Sequence, residues 1–132
     1  MQANDFGRII NIASSSTKEV IDGLILSNTF RSGMVGLTKS LAREYAKHNI
    51  LVNTIGPGRI ATDRVAELDQ LSADRQGIPI EDVIKTNKNL IPIGRYGEPE
   101  EFAKAVVFLA SPANTYMTGQ SLIIDGGMLK AL

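Results

Sequence analysis

Two groups of polar side chains in this sequence could take part in chemistry on an oxygen-bearing ligand. Ser14 opens a run of hydroxyl residues at positions 14–17, directly after an apolar stretch, while Ser27 and Arg31 stand near the start of a helical pattern. A serine hydroxyl can polarise a carbonyl oxygen, and a guanidinium can bind a ribose or a phosphate. Neither Ser27 nor Arg31 suits a proton relay, because an aliphatic alcohol is hard to ionise and arginine stays protonated.

Each of these residues also has a purely structural interpretation, and the residue types alone leave both interpretations open. Ser14 could simply end a strand, Ser27 could start a helix or a turn, and Arg31 could be a solvated charge on a helix surface. Thr62 is likewise a plausible helix cap as well as a plausible ligand contact.

Composition excludes several classes of protein. The sequence has no cysteine, and its single histidine, His48, has no metal partner in view, so no metal site is predicted. The formal net charge is +0 without a basic block, which argues against nucleic acid as a partner. No apolar run approaches the roughly 18–20 residues of a membrane helix. The first residues do not resemble a signal peptide, so the default expectation is a cytoplasmic protein that does not span a membrane.

The pattern along the chain predicts strands that alternate with helices in one compact domain of 132 residues. Apolar runs rich in β-branched residues predict three buried strands, at residues 8–13, 50–55 and 120–124. Apolar spacing and helix-start prolines predict four helices, at residues 29–48, 62–71, 79–89 and from Pro99 to about residue 111. Residues 72–77 are interpreted as a loop, and residues 18–26 as a loop that could contain a strand-like or helical turn. Strands separated by helical crossovers predict a parallel sheet.

Four blocks in this order resemble the short-chain dehydrogenase/reductase family. They are the strand end Asn11-Ile12-Ala13-Ser14 (N-x-S-S in the family), the helix and strand of residues 33–53, and the loop of residues 57–62 (P-G-x-[IV]-x-T). The fourth is the stretch of residues 95–101 (R-x-G-x-P-E-E) together with the tail of residues 108–127, which ends in Asp-Gly-Gly. The resemblance covers essentially the whole chain and is nearest to 3-oxoacyl-carrier-protein reductases and sugar or alcohol dehydrogenases. It implies an α/β fold, namely the C-terminal portion of a doubly wound Rossmann-like parallel sheet.

The resemblance also implies roles for individual residues. Ser14 takes the place of the family's catalytic serine, while the catalytic tyrosine and lysine positions fall on Ser27 and Arg31. The loop would contribute the cofactor-binding residues, for which the resemblance implies Pro57, Gly58, Ile60 and Thr62. In the family, backbone groups at the Ile60 position and the Thr62 hydroxyl contact the nicotinamide carboxamide and the phosphates of NAD or NADP.

Two departures from the family pattern shape the functional hypotheses. The phosphate-binding T-G-x-x-x-G-x-G turn does not occur, and the Tyr-x-x-x-Lys pair is replaced by Ser27 and Arg31. With Met1 in the place of an internal methionine of relatives, the pattern predicts a truncated product: a single domain, residues 1–132, equivalent to the family's C-terminal half. We expect this chain alone to bind no nicotinamide cofactor tightly and to reduce no ketone.

The first hypothesis is an NAD(P)-dependent oxidoreductase, or part of one, that acts on a small carbonyl or alcohol substrate. The alternatives are a catalytically inactive subunit that keeps the fold for oligomer contacts, and a gene fragment that folds by self-association. A homo-oligomer, either a dimer or a tetramer, is predicted because the first strand lacks a neighbour and the long helix carries a wide apolar stripe. The expected contacts are Met34, Leu37, Leu41 and Tyr45, or edge pairing along residues 9–12.

Overall fold

The computed structural model describes residues 1–131 and shows alternating strands and helices. The strands are β1 (Gly7–Ile12), β2 (Ile50–Pro57) and β3 (Ser121–Ile124). The α-helices within the described residues are α1 (Ile25–Tyr45), α2 (Asp63–Gln76), α3 (Ile80–Asn89) and α4 (Pro99–Ala110). None of these helices is long and apolar enough to cross a lipid bilayer.

The three strands form one parallel sheet in the order β1-β2-β3. Gly7 pairs with Ile50 at one end of the β1–β2 ladder, and Thr54 pairs with Ser121 where β3 begins. The central strand β2 is buried from Ile50 to Gly56, which is typical of a parallel strand covered on both faces. The predicted parallel arrangement is confirmed, and the carboxyl ends of the three strands meet at one edge of the sheet.

Helix α1 packs against one face of this sheet. Ala42 forms a buried cluster with Ile50 and Val52, and Leu41 and Tyr45 lie against that cluster. Leu41 and Tyr45, which the sequence predicts as subunit contacts, are partly buried on the core of their own chain, and their role between subunits stays a prediction. Leu37 is 47% exposed, whereas Met34 is half-buried.

A buried polar chain fixes the position of α1 on the sheet. The Asn11 amide of β1 donates to the Thr38 hydroxyl of α1 at 2.8 Å, and that hydroxyl lies 2.7 Å from the hydroxyl of Thr54 in β2. Thr38 and Thr54 are fully buried, so these contacts satisfy groups that would otherwise lose their hydrogen bonds with water.

Two predicted helix boundaries are wrong. Helix α1 begins at Ile25 rather than at residue 29. Its first turn does not follow the inward apolar stripe, because Ile25 and Leu26 are exposed. Helix α2 continues to Gln76 through most of the stretch that was interpreted as a loop. Ala73 extends the buried face of α2, and Gly77, with a φ of 66°, ends the helix in the left-handed conformation that glycine tolerates.

The start of α4 is held by its acidic first turn, as its sequence predicts. The Glu101 carboxylate accepts the Glu98 amide at 2.8 Å and a two-point contact from the Arg95 guanidinium at 2.7 and 2.8 Å. The Arg95 hydrogen bond, followed by the Glu98 amide, lowers the pKa of Glu101 to about 2. This carboxylate therefore stays ionised well below neutral pH and keeps the segment before α4 attached to the helix.

Candidate functional site

Ser14 lies just beyond the end of β1 and begins a single 3₁₀ turn, Ser15–Thr17. Its side-chain oxygen accepts the Ser16 amide at 3.1 Å, and its carbonyl oxygen accepts the Thr17 hydroxyl at 2.9 Å. Ser14 therefore caps a turn two residues beyond the end of β1, close to the interpretation that it ends a strand. Its hydroxyl hydrogen has no acceptor among the described residues, so the same side chain is free to donate to a ligand oxygen.

Arg31 projects from α1 onto the end of β1. Its Nε donates to the Ser27 hydroxyl at 3.0 Å, and its Nη1 donates to the Ala13 carbonyl at 2.5 Å. Within residues 1–131 Arg31 forms no ion pair and Nη2 donates to no acceptor. The half-buried guanidinium is thus oriented by neutral oxygens and offers its remaining donors and its full charge beside Ser14.

The loop after β2 approaches the turn after β3 closely. The Gly58 amide donates to the Ile124 carbonyl at 2.9 Å. A Cβ on Gly58 would lie 2.5 Å from the Cβ and 2.7 Å from the Cα of Asp125. Only glycine fits this approach without displacing backbone, which accounts for the Pro57-Gly58 pair at the end of the strand.

Ile60 forms an isolated parallel bridge with Gly97. The bridge uses the Arg59 carbonyl, which accepts the Gly97 amide at 2.9 Å, and the Ala61 amide, which donates to the Gly97 carbonyl at 2.8 Å. In a parallel ladder the bonds come from the residues on either side, so the amide and carbonyl of Ile60 itself face away from Gly97. The Ile60 carbonyl accepts the Thr62 hydroxyl at 3.4 Å, and its second lone pair stays open. One donor and one acceptor of this kind are complementary to the carbonyl and amino group of a carboxamide.

Thr62 caps α2, because its hydroxyl oxygen accepts the Val65 amide at 3.4 Å. The helix-cap interpretation is therefore confirmed, and the residue is exposed at the positive end of the helix dipole. That position also suits contact with an anionic group, so its role toward a cofactor stays a prediction.

The serine turn packs against the carboxyl end of β2, from which the loop of residues 57–62 leaves. The Ala13 amide donates to the Ile55 carbonyl at 2.8 Å, and a Cβ on Gly56 would lie 2.6 Å from the Ser14 carbonyl carbon and oxygen. The structure thus gathers Ser14, Ser27 and Arg31 near the entrance to the loop. Among the described residues no cluster of histidine and acidic side chains has the form of a metal site.

A buried carboxylate beside the loop was missed by the sequence analysis. Asp69 of α2 is 1% exposed and accepts hydrogen bonds from Arg59 at 2.7 Å, Asn87 at 2.8 Å and Tyr96 at 2.6 Å. The sequence signal was present, because Asp69 lies four residues from Val65 and four from Ala73, on the inward stripe of an amphipathic helix. Burial and the hydrogen bond to Asp69 raise the pKa of Tyr96, which keeps its hydroxyl a donor.

Comparison with known proteins identifies the family. The family described as enoyl-(acyl carrier protein) reductase matches residues 1–129. The 3-oxoacyl-[acyl-carrier-protein] reductase FabG of Rickettsia bellii (strain RML369-C) is 43% identical over 129 residues, which are 98% of this chain and 49% of that protein.

Solved structures agree with this assignment. YwfH, an NADPH-dependent reductase involved in bacilysin biosynthesis, superposes with a TM-score of 0.93 at 33% identity over 99% of this chain and 50% of its own. A short-chain dehydrogenase family protein from Francisella tularensis gives a TM-score of 0.86 at 32% identity over 91% of this chain and 50% of its own. The chain spans about half the length of the relatives it matches. It belongs to the short-chain dehydrogenase/reductase family.

Proposed function

We propose that this chain is the C-terminal half of an NAD(P)-dependent reductase that acts on a small carbonyl compound. The observation that carries the proposal is the convergence of Ser14, Arg31 and the loop that contains Ile60 at one edge of the sheet. Ligands of open parallel sheets bind at this carboxyl edge. The printed names of two relatives, a 3-oxoacyl reductase and an NADPH-dependent reductase, support the same chemistry.

The proposed roles follow from the hydrogen-bonding groups of each residue. Ile60 would hold the nicotinamide carboxamide through its backbone amide and carbonyl. Thr62, whose hydroxyl donates to the Ile60 carbonyl at 3.4 Å, would turn that hydroxyl toward a phosphate. Ser14 would donate a hydrogen bond to the substrate oxygen. The guanidinium N–H groups of Arg31 that have no other acceptor would stabilise negative charge on that oxygen. When bound, the cofactor supplies a hydride. Because Ser27 and Arg31 are poor acids, water would supply the proton that completes the alcohol.

A cofactor titration tests this function. The 132-residue chain alone is expected to bind NADPH no more tightly than the millimolar range, because it lacks the glycine-rich turn that binds the pyrophosphate. A chimera with the first half of the Rickettsia bellii FabG placed before it is expected to bind in the micromolar range, as measured by calorimetry. Low-micromolar binding by the chain alone, or none by a folded chimera, would contradict the proposal.

A second candidate role, an oligomerising subunit, is favoured by the exposed apolar surface of α1. Ile25, Leu26 and Phe30 are 79%, 73% and 72% exposed, and β1 has a partner on only one side within the described residues. Soluble proteins seldom leave apolar patches beyond a few hundred Å² uncovered. We infer a homodimer or homotetramer that buries this part of α1 or pairs the free edge of β1.

Light scattering at tens of micromolar tests the assembly. The chain is expected to be dimeric or tetrameric, and Phe30→Glu is expected to shift it toward the monomer because a carboxylate would have to be buried at the contact. Tyr116→Glu is the matched control, since Tyr116 is an exposed aromatic residue outside α1. A monomeric wild type, or equal effects of both substitutions, would rule out this surface.

A further inference from the structure

The carboxylate of Asp69 joins four separate segments of the chain. Asp69 belongs to α2, Asn87 to α3, Tyr96 to the segment before α4, and Arg59 to the loop after β2. All three donors reach the two oxygens of one side chain that is 1% exposed. A buried carboxylate is costly unless such donors satisfy it, so the position of each donor is tied to the position of the others.

Two of these donors adjoin the bridge that orients the loop. Arg59 and Tyr96 are the residues immediately before Ile60 and Gly97, whose bridge directs the backbone groups of Ile60. The Arg59 guanidinium carbon also lies 5.8 Å from the centre of the Tyr96 ring. Asp69 therefore bonds to a residue on each strand of the bridge. At the other end of the loop, Thr62 caps α2, the helix that contains Asp69.

We propose that Asp69 is a positioning residue that fixes the loop of residues 57–62 to the α2–α3 pair. Through Arg59 it sets the direction of the Ile60 amide and carbonyl, and through Asn87 it couples that direction to the placement of α3. The use of this position for cofactor binding rests on the proposed function. The coupling of the loop to α2 and α3 does not rest on the proposed function, since it is a property of the chain without cofactor.

Hydrogen exchange of backbone amides in the cofactor-free chain tests the coupling. Tyr96→Phe, which removes one donor and leaves two on the carboxylate, is expected to raise exchange roughly tenfold or more at the Ala61 and Gly97 amides and in α3, with β2 unchanged. Asp69→Asn is expected to have the larger effect. Asp74→Asn is the matched control, because Asp74 is an exposed carboxylate of α2 that accepts a side-chain amide, that of Gln70, at 2.7 Å.

A conservative rescue separates positioning from general stability. Arg59→Leu is expected to loosen the Ala61 and Gly97 amides as strongly as Asp69→Asn. Arg59→Lys keeps the cation that bonds Asp69 but loses the guanidinium face over Tyr96, so it is expected to restore part of their protection. Unchanged exchange in Tyr96→Phe and Asp69→Asn would overturn the proposal. Faster exchange that is equal across β2, α3 and the loop would also overturn it, since that pattern reports global unfolding alone.

These outcomes are independent of the cofactor titration. Loss of local protection in a chain whose chimera fails to bind NADPH would keep the positioning role and reject the proposed function. Normal NADPH binding by the chimera, with no local loosening in the Asp69 variants, would keep the proposed function and reject the positioning role.

Discussion

Replacing Gly56 with alanine is expected to destabilise the chain by about 3 kcal/mol or more, since overpacking a rigid site costs about 1–3 kcal/mol and backbone clashes exceed this. The added Cβ would lie 2.6 Å from the Ser14 carbonyl carbon and oxygen and 2.9 Å from Cδ1 of Ile123. The turn at Ser14 cannot easily retreat, because the Ala13 amide is hydrogen-bonded to the Ile55 carbonyl at 2.8 Å. The substitution would therefore push the serine turn away from the sheet or unfold the chain.

Gly36→Ala is the matched control for this prediction. Gly36 lies in α1 with nothing within 4 Å of an added Cβ, and alanine favours a helix over glycine by about 0.5–1 kcal/mol, so this substitution is expected to stabilise the chain. Denaturant unfolding followed by circular dichroism measures both changes. A Gly56→Ala variant as stable as wild type would show that Ser14 is not packed against β2 as described.

Converting Ser27 to tyrosine and Arg31 to lysine is expected to raise ketone reduction about 10²- to 10⁴-fold, the usual contribution of a positioned general acid. The measurement uses the chimera with the Rickettsia bellii FabG first half, and turnover is followed as NADPH consumption. A phenol with a pKa near ~10 can be tuned toward neutrality by a neighbouring ammonium, whereas the Ser27 alcohol cannot. In the structure the Ser27 Oγ lies 3.0 Å from Nε of Arg31, so the tyrosine and lysine side chains would leave adjacent positions on α1.

The control for this prediction keeps the aromatic ring at position 27 and removes the phenol hydroxyl that would supply the proton. Ser27→Phe combined with Arg31→Lys fills the same space without a hydroxyl and is expected to give no gain. Equal rates for the tyrosine and phenylalanine versions would show that the added ring acts through packing. No gain in either would mean that the site uses chemistry that needs no acid at position 27.

Most of the fold was predictable because its signals are local. Apolar runs bounded by turn residues marked β1, β2 and β3, and the helical crossovers between them predicted the parallel pairing that the structure confirms. The boundary errors have a physical reason as well. The first turn of α1 exposes Ile25 and Leu26, so it shows no inward apolar stripe. The polar end of α2 is helical because Ala73 is buried against the rest of the molecule.

The candidate site was predictable only in part. Ser14, Ser27, Arg31 and the loop residues were located through the family pattern, and the structure brings the serine turn, Arg31 and the loop to one edge of the sheet. Their present partners could not be derived, because the Ala13 carbonyl that orients Arg31 and the bridge that orients Ile60 join residues far apart in sequence. The split of Met34, Leu37, Leu41 and Tyr45 between core and surface likewise depended on where the sheet lies.

The sequence by itself determined the order of elements, the family and the loss of the phenol–ammonium pair, since each is written in residue types at short spacing. The tertiary structure alone decided that Arg31 donates to neutral oxygens and that Gly56 packs directly against the Ser14 carbonyl. It also decided that Asp69 collects three donors from three other segments. A buried carboxylate is stable only where distant donors converge on it, and that convergence exists only after the chain has folded.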